Sequence, residues 1–235
     1  MLSRDATGSK ETSKTTTRIE ALSDGIFAIA MTLLVLDIKV PEVEGPGDLL
    51  SALGEQWPDY FAFVVGFFTL LVCWINHHYM FEHIRRSDGV LLLLNGLKIL
   101  VVSFTPFVTA LLSHYIETDS LQVAVIVYTG NFFAMGLTMT GIWCYAQSRG
   151  YTRASDPAVL RTATRYYVFT PILSGLIFLM AFVSVWASLA LFLVMFALYV
   201  FPARTVRLLT RFDRGTADSV PVGERLVDAV QVDQE

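Results

Sequence analysis

The sequence predicts an all-α fold, a polytopic membrane protein with six transmembrane helices, and three observations lead there. Of 235 residues, 54% are hydrophobic and only 16% charged, and the mean hydropathy is +0.55, a balance too apolar for an ordinary soluble domain. The apolar residues gather into separate runs, most of them near the length of about 20 residues that a spanning helix needs. Lys and Arg residues fall in alternate loops, as an even number of spans requires. The net charge of -4 says little for such a chain, because the placement of the basic residues matters more than their sum.

Residues 1–17 are rich in Ser, Thr and Lys and hold almost nothing to bury, so a flexible cytoplasmic tail is expected there. A cleavable signal would put a short apolar core directly after a basic start and end at a small-residue site. The first apolar run lacks that layout, and helix 1 is expected to be retained. Thr17-x-x-Glu20 has the form of a capping box, which supports a start near Arg18 for a first span running to Pro41.

An acidic loop containing Pro and Gly is expected through Asp59, followed by a second span from Tyr60 to Met80. That span ends with an unusual density of polar groups, Cys73-Trp74-Ile75-Asn76-His77-His78. The third span covers Val90 to Leu112, with Asn95 and Lys98 inside it and Pro106 as an expected kink. The fourth covers Leu121 to Tyr145. The fifth begins near Tyr166, holds Pro171 and ends about Val185; a break at Ser184 to Ser188 separates it from a sixth, Leu189 to Phe201. The membrane unit is thus 18–203, and 204–235 read as a polar cytoplasmic tail.

The basic residues test this count independently. Arg85 and Arg86 follow span 2, Arg149, Arg153 and Arg161 follow span 4, and Arg204, Arg207, Arg211 and Arg214 follow span 6. The loops after spans 1, 3 and 5 carry no Lys or Arg beyond Lys39 at the end of helix 1. By the positive-inside rule both termini are expected in the cytoplasm.

Helix 1 carries the most information. At about 100° per residue, Arg18, Leu22, Gly25, Ile29, Thr32 and Leu36 share one narrow stripe, and Ser23, Asp24 and Phe27 lie off it. Polar groups inside a span are costly and normally face protein or water. Two unlike faces imply two different neighbours.

Each candidate site has a plainer alternative. Asp24 could serve as an ion or proton ligand, or could be an acid favoured by the helix dipole near an N-terminus; with Arg18, Ser23, Trp74 and His77 it could form a polar network that seats helix 1. His78 and Glu82 have the i,i+4 spacing of metal ligands, but no third ligand stands out, and no metal is expected. Lys98 would either pair with an acid in the bundle or snorkel toward the cytoplasm. Cys73 and Cys144 read as free thiols. Apolar residues at the spacing of Ile29 and Leu36 are most often helix packing, and a Thr such as Thr32 commonly bonds its own backbone.

The segment Arg18-x-x-x-Leu22-Ser23-Asp24, followed by Gly-Ile-Phe-Ala-Ile-Ala-Met-Thr-Leu-Leu-Val-Leu-Asp-Ile-Lys-Val-Pro, resembles the first helix of the transmembrane protein 175 family of potassium channels. The family signature has Phe where this chain has Leu22. The resemblance implies that helix 1 lines an ion path whose narrowest part is Ile29, with Thr32 as a polar step and Leu36 as the next layer outward. Leu33 borders that stripe. It also implies that the Arg and the Ser-Asp pair pack helix 1 against its neighbours, and that a chain with one six-helix unit assembles as a homotetramer.

No Thr-Val-Gly-Tyr-Gly filter occurs in the chain, and Thr129-Gly130-Asn131 is no substitute for one. A ring of aliphatic side chains cannot coordinate an ion, but it can set the width of a path and close it by dewetting. Potassium sheds water more cheaply than sodium, which gives such a ring a direction of selectivity. The expected partners are other copies of the chain, the lipid bilayer and permeant potassium ions, with no nucleic acid, no cofactor and no catalytic residue. A prokaryotic plasma membrane and a constitutive leak are the simplest setting, since no span carries the ladder of arginines of a voltage sensor.

Two other classes remain open at this point. A secondary transporter or proton pathway would use Asp24, His77 and Lys98 as a relay, although no inverted repeat is visible. A membrane enzyme would need a convergent polar site, for which the stretch Trp74 to His78 beside Asp24 is the candidate.

Overall fold

The structure is a computed structural model in which residues 4–42, 48–153 and 157–200 are described. The chain divides into two compact units, 1–193 and 194–235; of the second, residues 194–200 are described, and they are helical. The elements are α1 (Arg4–Leu33), continued by a 3-10 turn (Leu34–Asp37), then α2 (Asp48–Glu55), α3 (Trp57–His83), α4 (Gly89–Tyr115), α5 (Leu121–Ser148), α6 (Pro157–Met180) and α7 (Val185–Val200). Among the described residues there is no strand beyond one isolated bridge between Ile84 and Thr152.

Five of these segments are long and apolar enough to cross a bilayer: Thr16–Asp37, Trp57–His83, Gly89–Tyr115, Leu121–Ser148 and Pro157–Met180. The sixth predicted span is α7, apolar apart from Ser188 but only 16 residues long, or about 24 Å at 1.5 Å per residue. The all-helical, multi-pass architecture is therefore as expected. Several element boundaries are not.

Helical backbone begins at Arg4, so the residues expected to form a tail from position 4 onward extend the first helix. The fifth span starts at Pro157 rather than near Tyr166. Pro at the first helical position costs no hydrogen bond, and the polar turn through Arg161 and Arg165 hides the start from hydropathy. The break before the last helix lies at 181–184, earlier than the expected Ser184 to Ser188. There the Gln122 side chain donates to the carbonyls of Ala181 and Phe182, at 3.3 and 3.2 Å, and so satisfies groups that the end of α6 leaves open. The predicted acidic loop contains α2, whose leucines Leu49, Leu50 and Leu53 are exposed. Pro106 sits inside α4, which is assigned as one helix from Gly89 to Tyr115.

α1 packs on α3 and α4, α4 packs on α5, and α5 packs on α6. One apolar core gathers Phe27, Ala30 and Leu34 of the first helix with Leu70, Val102 and Met135. A second joins Ile19 with Met80, Phe81, Leu91, Met139, Ile142, Trp143 and Tyr167. Small residues let α5 and α6 approach closely, as is common between membrane helices. A Cβ at Gly136 would lie 3.2 Å from Ser174 Oγ and 3.3 Å from the Pro171 Cα. Phe133 and Phe178 stack at 6.0 Å, Phe178 filling the space beside Gly130 and Phe133 that beside Gly175.

On the side predicted to be cytoplasmic, Asp88 ties two loops together. One oxygen caps α4 by accepting from the Leu91 amide at 2.9 Å. The other accepts from the hydroxyls of Tyr145 at 2.6 Å and Tyr151 at 3.0 Å, with Arg149 Nε at 4.0 Å. Backbone bonds from Arg85 N to Tyr151 O (2.8 Å) and from Arg153 N to His83 O (2.9 Å) complete the tie. The Tyr145 hydroxyl, followed by the Leu91 amide, holds the Asp88 carboxyl below its ordinary range.

Two predictions follow from this packing. Gly136→Leu places a side chain against the Pro171 backbone, which cannot move aside, and should cost about 1–3 kcal/mol. Gly141→Ala, where nothing lies within 4 Å of the new Cβ, should not destabilise; thermal unfolding of the two purified variants in detergent separates them. Asp88→Asn should lower the unfolding temperature at pH 7. Because the folded carboxyl titrates below its unfolded value of about 4, the difference from wild type should persist down to that pH and vanish only as pH falls through the lower folded value. A difference that disappears between pH 6 and 5 would refute this account.

Candidate ion path and its anchor

The first helix is two-faced in the folded chain. Ile19, Ser23, Phe27, Ala30 and Leu34 recur every three or four residues and are buried against α3 and α4. The opposite stripe is open: Leu22, Ile29 and Leu36 are 60%, 55% and 64% exposed, and Leu33 is 43% exposed. Gly25 and Thr32 lie on the same exposed side. The Thr32 hydroxyl donates toward the carbonyls of Ile29 (2.9 Å) and Ala28 (3.1 Å), which leaves its oxygen lone pairs free to accept.

The expected five-residue network around helix 1 resolves into two separate sets. In the first, Asn95 Nδ2 donates to Ser23 Oγ at 3.0 Å, and Asn95 Oδ1 lies 2.9 Å from His77 Nε2. An amide oxygen can only accept, so this arrangement requires the imidazole proton on Nε2. Ser23 Oγ also reaches the Ile19 carbonyl at 2.9 Å. All three side chains are buried, and the His77 ring packs between Phe27 and Phe81, with centroids at 5.7 and 4.6 Å.

In the second set, Trp74 Nε1 donates to Asp24 Oδ1 at 2.8 Å. The Trp74 ring stacks on His78 at 6.0 Å. Arg18 is exposed and stands outside both sets.

Asn95 is the member that sequence reasoning noted but left out of the network. Depth could have found it. Asn95 lies six residues into α4 and His77 six residues before the end of α3, so the two antiparallel neighbours carry them at one level.

Lys98 corrects both sequence readings. It is 0% exposed, so it does not snorkel. Its Nζ donates to Cys73 Sγ at 2.9 Å and to the Met135 carbonyl at 3.1 Å, and among the described residues no carboxylate lies within ion-pair distance of it. His78 pairs with Glu82 at 3.6 Å on an exposed face, and among the described residues no cluster of three or more His, Cys, Asp or Glu could hold a metal. Cys73 and Cys144 are both free thiols.

Residues 18–106 match the family model described as the endosomal/lysosomal potassium channel TMEM175. A potassium channel of Streptomyces collinus is 42% identical over 171 residues, covering 70% of this chain and 83% of the relative. The chain belongs to the TMEM175 family. A potassium channel of Chamaesiphon minutus is 43% identical over 74% of this chain and 87% of its own length. The crystal structure of a lysosomal potassium-selective channel TMEM175 homolog from the same organism superposes with a TM-score of 0.73 at 39% identity, over 80% of this chain and 98% of that one. The bovine endosomal/lysosomal proton channel TMEM175 is 33% identical over 53% of this chain and 29% of its own length.

The TMEM175 motif of this chain thus directs neighbouring residues to different places. Ser23 turns inward to α4, Asp24 bonds the Trp74 indole on α3, and Leu22 and Gly25 face outward. Replacing Asn95 with Leu would strand Ser23 and His77 without their shared partner, and an unsatisfied buried polar group costs about 1–3 kcal/mol. Asn95→Leu should therefore lower the detergent unfolding temperature clearly, whereas Ser103→Ala on the exposed side of the same helix should leave it unchanged.

Proposed function

We propose that four copies of this chain form a potassium-selective channel in a prokaryotic plasma membrane, with both termini in the cytoplasm and α1 of each copy lining a central path. The observation that carries this reading is the open stripe of α1, set opposite a buried hydrogen-bonded face in a chain that belongs to a channel family rather than to an enzyme family. Closed cyclic symmetry is the usual way for one helix per copy to enclose a path.

In this reading Ile29 forms the narrowest ring, Thr32 offers hydroxyl oxygens as a polar step, and Leu36 forms the next layer outward. Leu33 flanks the ring. The aliphatic constriction selects by the work of partial dehydration, which is smaller for potassium than for sodium. No group on the stripe carries a charge between Arg18 and Lys39. Discrimination then rests on the width of the ring and on its ability to dewet.

A relay through Asp24, His77 and Lys98 has less support, because each is bonded within a different set: to Trp74, to Asn95, and to Cys73 with Met135.

Planar bilayer recordings of the purified protein provide the test. Wild type should give discrete openings that favour potassium, and Ile29→Asn should lower the potassium-to-sodium permeability ratio several-fold. Slow saturable flux in wild type, or an unchanged ratio in Ile29→Asn, would reassign the stripe to packing.

A further inference from the structure

Lys98 is a primary amine sealed inside a membrane bundle, and one of its two partners is a sulfur. Its Nζ lies 2.9 Å from Cys73 Sγ of α3 and 3.1 Å from the Met135 carbonyl of α5, with none of its surface exposed. A buried ammonium with no anion beside it is costly. Among the described residues, the neighbour in direct contact that can exchange a proton with it is the thiol, since the carbonyl can only accept. When that proton rests on nitrogen, the sulfur is a thiolate, the nucleophilic form of cysteine. We propose that Cys73 and Lys98 form a peroxide-sensitive pair, in which oxidation joins α3 to α4 through a covalent N–S bond.

The chemistry balances with hydrogen peroxide as the oxidant. The Cys73 sulfur attacks one peroxide oxygen; an S–O bond forms, the O–O bond breaks, sulfur is oxidised to the sulfenic acid and the other oxygen leaves as hydroxide, which takes the proton from the Lys98 ammonium to become water and leaves the amine neutral. The Lys98 nitrogen, with its lone pair free, then attacks that sulfur. An N–S bond forms, the S–O bond breaks, and a second water departs with a proton from the amine. Overall the thiol, the amine and one peroxide give a sulfenamide and two waters. Sulfenic acids are known to condense with nitrogen in this way, and the 2.9 Å contact is already slightly shorter than the separation of about 3–3.5 Å of a near-attack geometry.

Access and isolation both favour this pair. Cys73 is half-buried, which leaves its side a route for a small neutral peroxide, while Lys98 behind it is fully buried and shielded from competing reagents. Cys73 packs against both apolar cores, including the one that seats Phe27, Ala30 and Leu34 of α1. The link therefore stiffens the wall behind the open stripe. Cys144 provides an internal control, being free and exposed with no amine bonded to it among the described residues.

The test treats the purified full-length protein with hydrogen peroxide, alkylates the remaining thiols, digests with trypsin and reads the peptides by mass spectrometry. The expected product is a joined pair of peptides carrying Cys73 and Lys98, lighter by two hydrogens than the sum of the reduced peptides. Cleavage after Lys98 should be lost, dithiothreitol should restore it, and the product should be absent from Cys73→Ser. If Cys144 is oxidised while Cys73 remains a thiol or proceeds to sulfinic or sulfonic acid, and trypsin still cleaves after Lys98, the proposal is overturned. The readout is a mass and does not depend on whether the protein conducts potassium.

Discussion

The rotational setting of the first helix rests on one small set of hydrogen bonds, Ser23 to Asn95 to His77. Inside a bilayer no water is available to satisfy a misplaced polar group, so each of these side chains must find protein partners. Turning α1 by even one residue's angle would take Ser23 away from Asn95 and leave buried donors and acceptors unpaired. Thr32, nine residues beyond Ser23, comes out half a turn away. The open stripe is thus specified from the buried side, and the apolar residues on it need no partner within their own chain to hold their direction.

That anchor depends in turn on a rigid backing. α1 touches α3 and α4, which are themselves held by α5, while α6 closes on α5 through glycine notches filled by Phe133, Phe178 and Pro171. At the end of the bundle predicted to be cytoplasmic, Asp88 joins the start of α4 to the loop after α5, which limits how far those helices can slide past one another. In the proposed channel stiffness is needed, because an aliphatic ring would discriminate by width, and a ring on loosely held helices would accommodate either ion. In that proposal the layers farthest from the path bear on its selectivity without touching it.

Much of this was legible in the sequence, and what was not has physical reasons. Length and apolarity report how much chain matches the bilayer, so the runs in helices α1 and α3 to α6 stood out in order, and the 100° rule separated Ile29 and Leu36 from Ser23 and Phe27. Hydropathy does not report where a helix begins, and the polar first turns of α6 and the short α2 were accordingly missed. Lys98 was misread because a long amine inside a span has two generic options, and only the tertiary structure shows a thiol and a carbonyl waiting for it. Asn95 was seen but not placed, since matching its depth to His77 requires knowing that α3 and α4 are neighbours.

The Leu22-Ser23-Asp24-Gly25 stretch makes the economy of the motif plain. Four consecutive helical positions sample almost a full turn, and here they meet the open side, α4, α3 and the open side again. A serine satisfies a buried amide at close range, an aspartate reaches a half-buried indole, and the small Gly25, with nothing within 4 Å of where a Cβ would stand, keeps bulk off the open face. The polar residues of this segment act as positioning groups, and the plain aliphatic ones are left on the open side. Sequence conspicuousness and exposure are therefore inverted along this helix: the eye goes to Ser23 and Asp24, but their bonds are what deliver Ile29, Thr32 and Leu36 to the other side.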